Sequence, residues 1–269
     1  MIDLFLYLFS FLPILFVGFI TWLISLYLKD VSIVDSAWPI MFLAAVIFLA
    51  SNVSSYDVRT QIVLGMVFLW SMRLFAHLTV RNWGEPEDRR YVAIREKYEP
   101  NFGFKSLFII FLFQAVLAWI ILMPLWPAIT HNVGFSMWDM AAIVVWSVGF
   151  VFEAVSDWQL SRFKSNPDNE GKVMDKGLWY YTRHPNYFGE CLIWWGFYLF
   201  ALSSGAWVTI IGPLLITWLL LKFSGVVMLE ETIVQRRPAY RDYIANTNAF
   251  IPGRPKHEDR TVGTEGELL

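Results

Sequence analysis

The chain has little cysteine, histidine or charge. Its one cysteine, Cys191, cannot form an internal disulfide or a cysteine-based metal site. Its four histidines do not have the spacing of zinc ligands, so we predict no metal. Charged residues make up only 16% of the 269 residues and apolar residues make up 57%, an excess that the core of a soluble protein does not explain. The composition therefore predicts an integral membrane protein.

The sequence motifs of soluble nucleotide-binding and hydrolytic folds are absent. Neither a Walker A sequence nor G-x-G-x-x-G nor G-x-S-x-G occurs. The chain also shows no repeat of fixed period and no low-complexity tract. Any nucleotide must therefore bind in a pocket that the membrane protein itself forms.

Seven apolar stretches approach the length of about 20 residues that an α-helix needs to cross a bilayer. The pattern predicts an all-α integral membrane protein with seven transmembrane helices. The predicted spans are 4–28, 36–51, 60–80, 104–123, 137–156, 187–203 and 206–224.

The basic residues are distributed asymmetrically around these spans. Of the 21 Lys and Arg residues, Arg59 is assigned to the loop 52–59 and Arg73 to a span. The other 19 lie in the segments that one side of a seven-span chain presents, which are 29–35, 81–105, 157–186 and 222–260. By the positive-inside rule that side is cytoplasmic, so the N-terminus is predicted to lie outside and the C-terminus in the cytoplasm.

Ionisable residues at membrane depth are costly unless they are paired or face a wet cavity, which makes each of them a functional candidate. Arg73 and His77 are four residues apart and share a helix face. They could instead form an interhelical hydrogen bond with a partner such as Glu153 or Asp35. Asp35, close to a predicted helix start, could also act simply as a helix cap.

The cytoplasmic end of the fifth span combines acidic and basic side chains. Glu153 and Asp157 are four residues apart, and Arg162 and Lys164 follow within two turns. An anionic ligand could bind here beside hydrogen-bond acceptors. A basic helix end that reaches towards lipid phosphates would have a similar sequence.

The run 179–190 is the densest polar segment of the chain. Its candidate ligand-binding side chains are Tyr180, Tyr181, Arg183, His184, Asn186, Tyr187 and Glu190. Pro185 favours a helix that begins there and leaves the backbone amides of Asn186 and Tyr187 pointing towards a ligand. Asn186 and Glu190 would share one face of that helix. An interfacial anchor would need the aromatic residues but not Asn186 and Glu190, so we predict a ligand site.

A segment after the seventh span, 230–243, is acidic at first and then basic, with two tyrosines. It is typical of an amphipathic helix at the membrane interface. Alternatively, Arg236, Arg237 and Arg241 bind a phosphorylated cofactor together with the 157–190 segment.

The segment 176–190 reads Lys-Gly-Leu-Trp-Tyr-Tyr-Thr-Arg-His-Pro-Asn-Tyr-Phe-Gly-Glu, and 157–164 reads Asp-Trp-Gln-Leu-Ser-Arg-Phe-Lys. Together they resemble the steroid 5α-reductase superfamily, especially its bacterial branch. The likeness is strong over 150–252, including the closing Phe250-Ile-Pro252, and weaker over 30–80. It implies a seven-helix oxidoreductase of steroid or lipid metabolism that uses NADPH to saturate the C4–C5 double bond of a 3-oxo-Δ4 steroid or related enone.

The resemblance also implies site residues. It assigns a lipophilic substrate to the helices within 1–123 and the cofactor to 137–252, both in one membrane domain, 1–252, followed by a polar tail, 253–269, that we predict to be disordered. Lysines suit the 2′-phosphate and Asn186 the nicotinamide amide, while Glu153 stands where the animal enzymes have Asn. The cofactor-binding residues predicted in this way are Glu153, Asp157, Lys164, Lys172, Tyr181, Arg183, His184, Asn186, Tyr187, Glu190, Arg237 and Tyr240.

The substrate end matches the family less well. In the steroid reductases a Glu and a Tyr hold the substrate carbonyl. Asp35 matches the Glu, but the Tyr falls on Trp70, and a Trp cannot pass on a proton as a Tyr can. The predicted catalytic residues are Asp35, Trp70 and Arg73. Either the proton comes from another acid, Asp35 itself or Tyr56, or the substrate is not a steroid enone.

Two other functions fit parts of the sequence. Isoprenylcysteine and phospholipid methyltransferases carry a similar Arg-His-Pro-x-Tyr-x-Gly run and use S-adenosylmethionine, but they do not need the lysines that suit an extra phosphate. A non-enzymatic lipid-binding protein would explain the aromatic and basic residues but not Asp157, Asn186 and Glu190 together. The leading prediction is a reductase in the bacterial inner membrane that can act as a monomer, takes its substrate from the bilayer and binds no nucleic acid.

Overall fold

In the computed structural model of the chain, residues 2–223, 233, 234 and 237–256 are described, and the regular elements among them are all helical. Among these described residues, five helical stretches are long and apolar enough to cross a membrane. They are Leu4–Leu28, Ile33–Ser51, Val58–Asn82, Phe102–Ile121 and Met137–Lys164. A shorter apolar helix covers Trp207–Lys222. The helices agree with the predicted multi-pass, all-α membrane protein.

The elements follow one another with short connections. The α-helices are α1 (Ile2–Phe9), α2 (Phe11–Leu28), α3 (Ile33–Ser51), α4 (Val58–Asn82), α5 (Arg89–Tyr98), α6 (Phe102–Ser106), α7 (Phe113–Ile121), α8 (Leu125–Thr130), α9 (Met137–Lys164), α10 (Leu178–Tyr181), α11 (Pro185–Ser203), α12 (Ile211–Trp218) and α13 (Tyr240–Asn246). Leu107–Leu112 and Leu219–Phe223 are π-helical, and Pro167–Asn169 and Trp207–Ile210 are 3₁₀ turns.

Two helix boundaries differ from the predicted ones in a way that affects the site. The second span begins at Ile33 and not at 36, so Asp35 lies in the first turn of α3. The fifth span continues beyond 156 to Lys164, so Glu153, Asp157 and Lys164 all lie on α9. Of the predicted tail, 253–269, only the part up to Lys256 lies within the described residues, and Arg236 lies outside them.

The chain forms two compact units. The first comprises Met1–Phe150 and Cys191–Thr217, and the second comprises Val151–Glu190 and Trp218–Leu269. This division differs from the functional one drawn above between 1–123 and 137–252, which stays a prediction.

Within the first unit, α3 packs against α2, α4 and α7. Apolar side chains point outwards along these helices, with Phe16, Ile47 and Phe68 more than half exposed, as expected of surfaces that contact lipid. The core is aromatic: Phe42 of α3 meets Trp70 of α4 and Trp194 of α11, with ring centroids 5.5 and 4.8 Å away. These edge-on and tilted contacts fix the relative rotation of three helices.

Arg59 was assigned to a loop, and the structure corrects this: it lies in the first turn of α4 and is buried. Its Nε donates to Oδ1 of Asp139 over 2.9 Å, and both side chains are fully buried. The remaining guanidinium hydrogens bind the carbonyl oxygens of Ala128 and Phe200 and the Oγ of Ser203. A buried ion pair is tolerated when such hydrogen bonds satisfy it, so this pair is structural.

Segments from the predicted cytoplasmic side meet at one end of the first unit. The Val31 N–H donates to Oε1 of Glu87 over 2.8 Å, and Nη2 of Arg95 donates to the Lys29 carbonyl over 3.3 Å. Burial alone would raise the pKa of Glu87, but hydrogen bonds from Arg95 and Val31 outweigh it and keep that pKa below its ordinary value. Glu87 therefore stays ionised and holds α5 against the α2–α3 connection.

Candidate functional site

Asp35 lies at the centre of a polar cluster in the first unit. Its Oδ2 accepts a hydrogen bond of 2.8 Å from Nη2 of Arg90, and its Oδ1 accepts one of 2.5 Å from the Tyr91 hydroxyl. Gln114 of α7 donates to the same hydroxyl over 3.1 Å. The Asp35 carboxylate thus lies in the first turn of α3 and also accepts hydrogen bonds from two side chains of α5.

Tyr91 is held in its neutral form by this environment. Burial raises its pKa well above the ordinary value, and the neighbouring Asp35 carboxylate raises it further. For Arg90, burial alone would lower the pKa, but Asp88 and Asp35 outweigh burial and raise it. The cluster therefore pairs a protonated phenol with a carboxylate whose charge is balanced by a guanidinium.

The other two predicted catalytic residues lie on α4. Trp70 is fully buried, and its ring centroid lies 5.3 Å from that of Trp194. Phe42 connects it to Trp38, whose ring meets Phe42 edge-on at 4.7 Å. Arg73 follows one turn after Trp70 and is half-buried. Trp70 occupies a core position, and the catalytic roles of both residues stay predictions.

Tyr56, the other acid considered above, lies at the wrong end of α3 to act with Asp35. It follows the C-terminus of that helix, and its hydroxyl donates to the Ala50 carbonyl over 2.8 Å. The 19 residues of α3 separate the two ends by about 28 Å, at about 1.5 Å per residue. Tyr56 and Asp35 therefore cannot bind the same carbonyl oxygen.

In the second unit, the structure brings together Asp157 and Asn186, which are 29 residues apart in sequence. Asn186 Nδ2 donates to Oδ1 of Asp157 over 3.2 Å, and its Oδ1 accepts from the Tyr187 N–H over 3.0 Å. The expectation that the Tyr187 amide points to a ligand is therefore wrong, because the neighbouring side chain binds it. The predicted helix start at Pro185 is confirmed.

Two hydrogen bonds hold the start of the run 179–190 against α9. Trp179 Nε1 donates to the Ser156 carbonyl over 3.1 Å, and the Leu178 N–H donates to Oε1 of Gln159 over 3.0 Å. Gly177 has a φ of +64°, and a Cβ there would come within 2.4 Å of the Gln159 side chain. The positive φ favours glycine, and a side chain at 177 would have to displace the Gln159 amide that binds Leu178.

Arg183 is buried, and the partners of its Nη1 are backbone carbonyls. Nη1 donates to the carbonyl oxygens of Ile244, over 3.1 Å, and Thr247. Its neighbour His184 is buried and stacks on Tyr187, with ring centroids 5.5 Å apart and planes 7° apart. Cofactor binding by Arg183, His184 and Tyr187 stays a prediction.

The other predicted cofactor residues divide by exposure. Lys164, Lys172 and Tyr181 are exposed, Arg237 is half-buried, and Glu153, Glu190 and Tyr240 are buried. Arg237 Nη1 donates to the Lys172 carbonyl over 2.6 Å, and the Tyr240 ring contacts that of Tyr243. The second unit thus carries exposed cations and buried carboxylates, two kinds of group that a ligand with both phosphate and amide groups could use.

Comparison with known proteins assigns the chain to a protein family. Residues 21–247 match the family described as "Protein of unknown function (DUF1295)". The chain belongs to the DUF1295 family. A fungal protein, the uncharacterized protein C594.04c of Schizosaccharomyces pombe, is 27% identical over 274 residues, which cover 87% of this chain and 76% of the yeast protein. No solved structure gives a significant match.

Tyr91 of this DUF1295 protein is a candidate that the sequence reasoning missed. It lies in the polar segment 81–105, which was assigned only to the cytoplasmic side, whereas the structure forms helix α5 there. A capping Asp88, whose side chain accepts from the Arg90 N–H over 2.9 Å, is the local signal for that helix. That signal could have predicted a helix, but not that its tyrosine meets α3.

Proposed function

We propose that this DUF1295 protein is a steroid 5α-reductase-like enzyme that reduces the C=C bond of a lipophilic enone with NADPH. The reaction adds a hydride to the β-carbon and a proton to the carbonyl oxygen. The resulting enol then gives its O–H proton back to the donor, and the α-carbon takes one proton from solvent, so that one NADPH and one proton are consumed. The products are the saturated ketone and NADP⁺. A 3-oxo-Δ4 steroid or a related enone is the substrate class.

The observation that carries the proposal is the hydrogen bond between Tyr91 and Asp35. The sequence lacked a tyrosine at the position that the resemblance requires, and Tyr91 supplies one from α5. In the proposed reaction the Tyr91 hydroxyl turns its proton from Asp35 to the carbonyl oxygen and stabilises the charge that develops there. Arg90 balances the Asp35 charge, and Gln114 orients the phenol.

The second unit supports the choice of cofactor. When bound, NADPH supplies the hydride. Exposed Lys164 and Lys172 would hold its phosphate groups, and the paired Asn186 and Asp157 would hold its amide. Asn186 has a second N–H and a carboxylate partner that fixes its orientation, as an amide-binding residue requires.

We further propose seven spans with the N-terminus outside and the C-terminus in the cytoplasm of a bacterial inner membrane. α11 and the helix Trp207–Lys222 would be the sixth and seventh spans. Contacts within the first unit support the alternation: Lys29 and Val31 meet Arg95 and Glu87 at one end. A lipophilic substrate would enter from the bilayer between the first four spans, and a monomer suffices for this arrangement.

Mass spectrometry of the nucleotide that co-purifies with the protein in detergent tests the proposal. We expect NADP⁺ or NADPH, and its loss from Asn186→Ala but not from Asn52→Ala, a variant of an exposed asparagine at the end of α3. Recovery of an S-adenosyl compound would instead favour the methyltransferase. Nucleotide binding that Asn186→Ala leaves unchanged would contradict the assigned site.

A further inference from the structure

The C-terminal part of the chain returns to the run 179–190 within the second unit. We call residues 237–256 the C-terminal strap. Backbone hydrogen bonds join it to the run: the Arg183 N–H donates to the Asn248 carbonyl over 2.9 Å, and the Gly253 N–H donates to the Tyr181 carbonyl over 3.0 Å. The strap therefore runs alongside the most polar segment of the predicted cofactor site.

The Arg183 side chain adds hydrogen bonds from the run to the strap. Its side chain is 7% exposed, and Nη1 binds the carbonyl oxygens of Ile244 and Thr247 at the C-terminal end of α13. Ile244 lies in the last turn of α13 and Thr247 is its C-cap, so their carbonyls lack partners within the helix and attract positive charge. A buried guanidinium in turn needs acceptors for its donors. Each group thus satisfies the other.

The side chains of Tyr243 and Thr182 add two more hydrogen bonds between the strap and the run. The Tyr243 hydroxyl donates to the Trp179 carbonyl, and the Thr182 hydroxyl donates to the Phe250 carbonyl over 2.8 Å. Both side chains are buried. The run and the strap therefore exchange side-chain hydrogen bonds in both directions, which makes their relative position well defined.

The strap also contacts other parts of the predicted cofactor site. The Phe250 ring meets Phe188 of α11, and Phe188 meets Phe152 of α9, with centroids 5.9 and 5.3 Å apart. Phe152 precedes Glu153, and Phe188 lies between Asn186 and Glu190 in sequence. At its other end the strap binds the Lys172 carbonyl through Arg237. Displacing the strap would therefore disturb α9, α11 and the lysine-bearing loop together.

We propose that Arg183 is a positioning residue that fastens the C-terminal strap to the run 179–190 and thereby assembles the nucleotide site, an inference that rests on the proposed function for the nature of the ligand. In this role Arg183 acts through the fold and does not bind the nucleotide phosphates.

Hydrogen exchange in the nucleotide-free protein tests the fastening itself. Arg183→Lys keeps the charge but cannot reproduce the guanidinium geometry. It should speed exchange of the backbone amides of Gly253 and of residue 183, whose acceptors are the carbonyl oxygens of Tyr181 and Asn248. The expected factor is about 10 to 100, from loss of a hydrogen bond to a charged group. Arg254→Lys, at an exposed arginine of the strap, is the matched control and should change nothing.

Nucleotide titration tests the consequence. Because Arg183 acts by positioning the strap and not by binding the nucleotide, Arg183→Lys should weaken the binding of NADPH and of NADH by the same factor, about tenfold or more. It should also raise the KM for the nucleotide, while kcat at saturating nucleotide stays unchanged. Tyr243→Phe, which leaves Arg183 in place, should give the same pattern. It also replaces Arg183→Lys as the test if that variant does not fold.

Unchanged exchange in both variants would overturn the proposal. Weaker nucleotide binding by Arg183→Lys with normal binding by Tyr243→Phe would also overturn it and would make Arg183 a ligand. If neither NADPH nor NADH binds the wild type, the proposed function fails. The exchange measurement, which needs no nucleotide, still decides whether Arg183 fastens the strap.

Discussion

The Tyr91 hydroxyl donates a hydrogen bond of 2.5 Å to Oδ1 of Asp35, while Arg90 binds the other carboxylate oxygen over 2.8 Å. Helix α5 supplies the phenol and the guanidinium from consecutive positions, and α3 supplies the carboxylate. A proton donor, its orienting base and a balancing cation are thus assembled from two short stretches of chain. This cluster is where we expect carbonyl activation.

Tyr91→Phe should lower kcat for enone reduction by a factor of about 10² to 10⁴, the usual contribution of a positioned general acid. The ring remains, so the packing of α5 should be kept. Binding of NADPH, measured by titration, should stay within about twofold of the wild type, because the residues proposed to hold the nucleotide do not include Tyr91.

Tyr98→Phe is the control for this change, since Tyr98 lies on the same helix with its side chain 37% exposed. It should leave kcat unaltered. Equal activity of Tyr91→Phe and wild type would show that the proton comes from elsewhere.

The rate should not fall between about pH 7 and pH 9 through ionisation of Tyr91, whose ordinary pKa is near 10. Burial and the Asp35 charge raise its pKa further, so the phenol stays protonated across that range. Asp35→Asn removes the charge and should move any alkaline limit of kcat/KM to lower pH. A wild-type limit near pH 8 that disappears in Tyr91→Phe would contradict the assignment.

The raised pKa of Tyr91 also determines how the stability of the folded protein depends on pH. Because the folded-state pKa of Tyr91 exceeds its unfolded value, its contribution is fully present below about pH 10 and is lost as pH rises above that value. Raising the pH from 8 to above 10 should therefore destabilise the wild type more than it destabilises Tyr91→Phe. Thermal unfolding in detergent measures this difference.

Arg59→Ala should destabilise the first unit by about 3–5 kcal/mol, because it leaves Asp139 buried without its cation. Arg81→Ala removes an exposed arginine from the same helix and should change stability by less than about 0.5 kcal/mol. The double variant Arg59→Met with Asp139→Leu should be more stable than Arg59→Ala. If Arg59→Ala unfolds in detergent like Arg81→Ala, the ion pair is not structural.

Hydropathy predicted the helical class and the five described helices that are long and apolar enough to cross a membrane, because an apolar stretch of sufficient length has few alternatives in a bilayer. Sequence reasoning also placed Asp157 and Asn186 in one site, and the two side chains are hydrogen-bonded. It did not place Tyr91 on Asp35 or Arg59 on Asp139. Those partners lie 56 and 80 residues apart, and only the packing of the helices brings them together.

Asp157→Asn should weaken nucleotide binding by about tenfold or more, because a second amide cannot accept as a carboxylate does and Asn186 loses its orienting partner. Asp168→Asn, in an exposed turn of the same unit, is the matched control. Isothermal titration with NADPH separates the two. Equal affinities would place the nucleotide amide away from this pair.

Transfer of deuterium from [4-²H]NADPH to a 3-oxo-Δ4 steroid or a comparable lipophilic enone, followed by mass spectrometry and NMR of the product, tests the central claim most directly. The proposed chemistry predicts one deuterium at the β-carbon of a saturated ketone with the wild type, and product reduced about 10²-fold or more with Tyr91→Phe. Failure of NADPH to bind, together with methyl transfer from S-adenosylmethionine to a lipid acceptor, would contradict it.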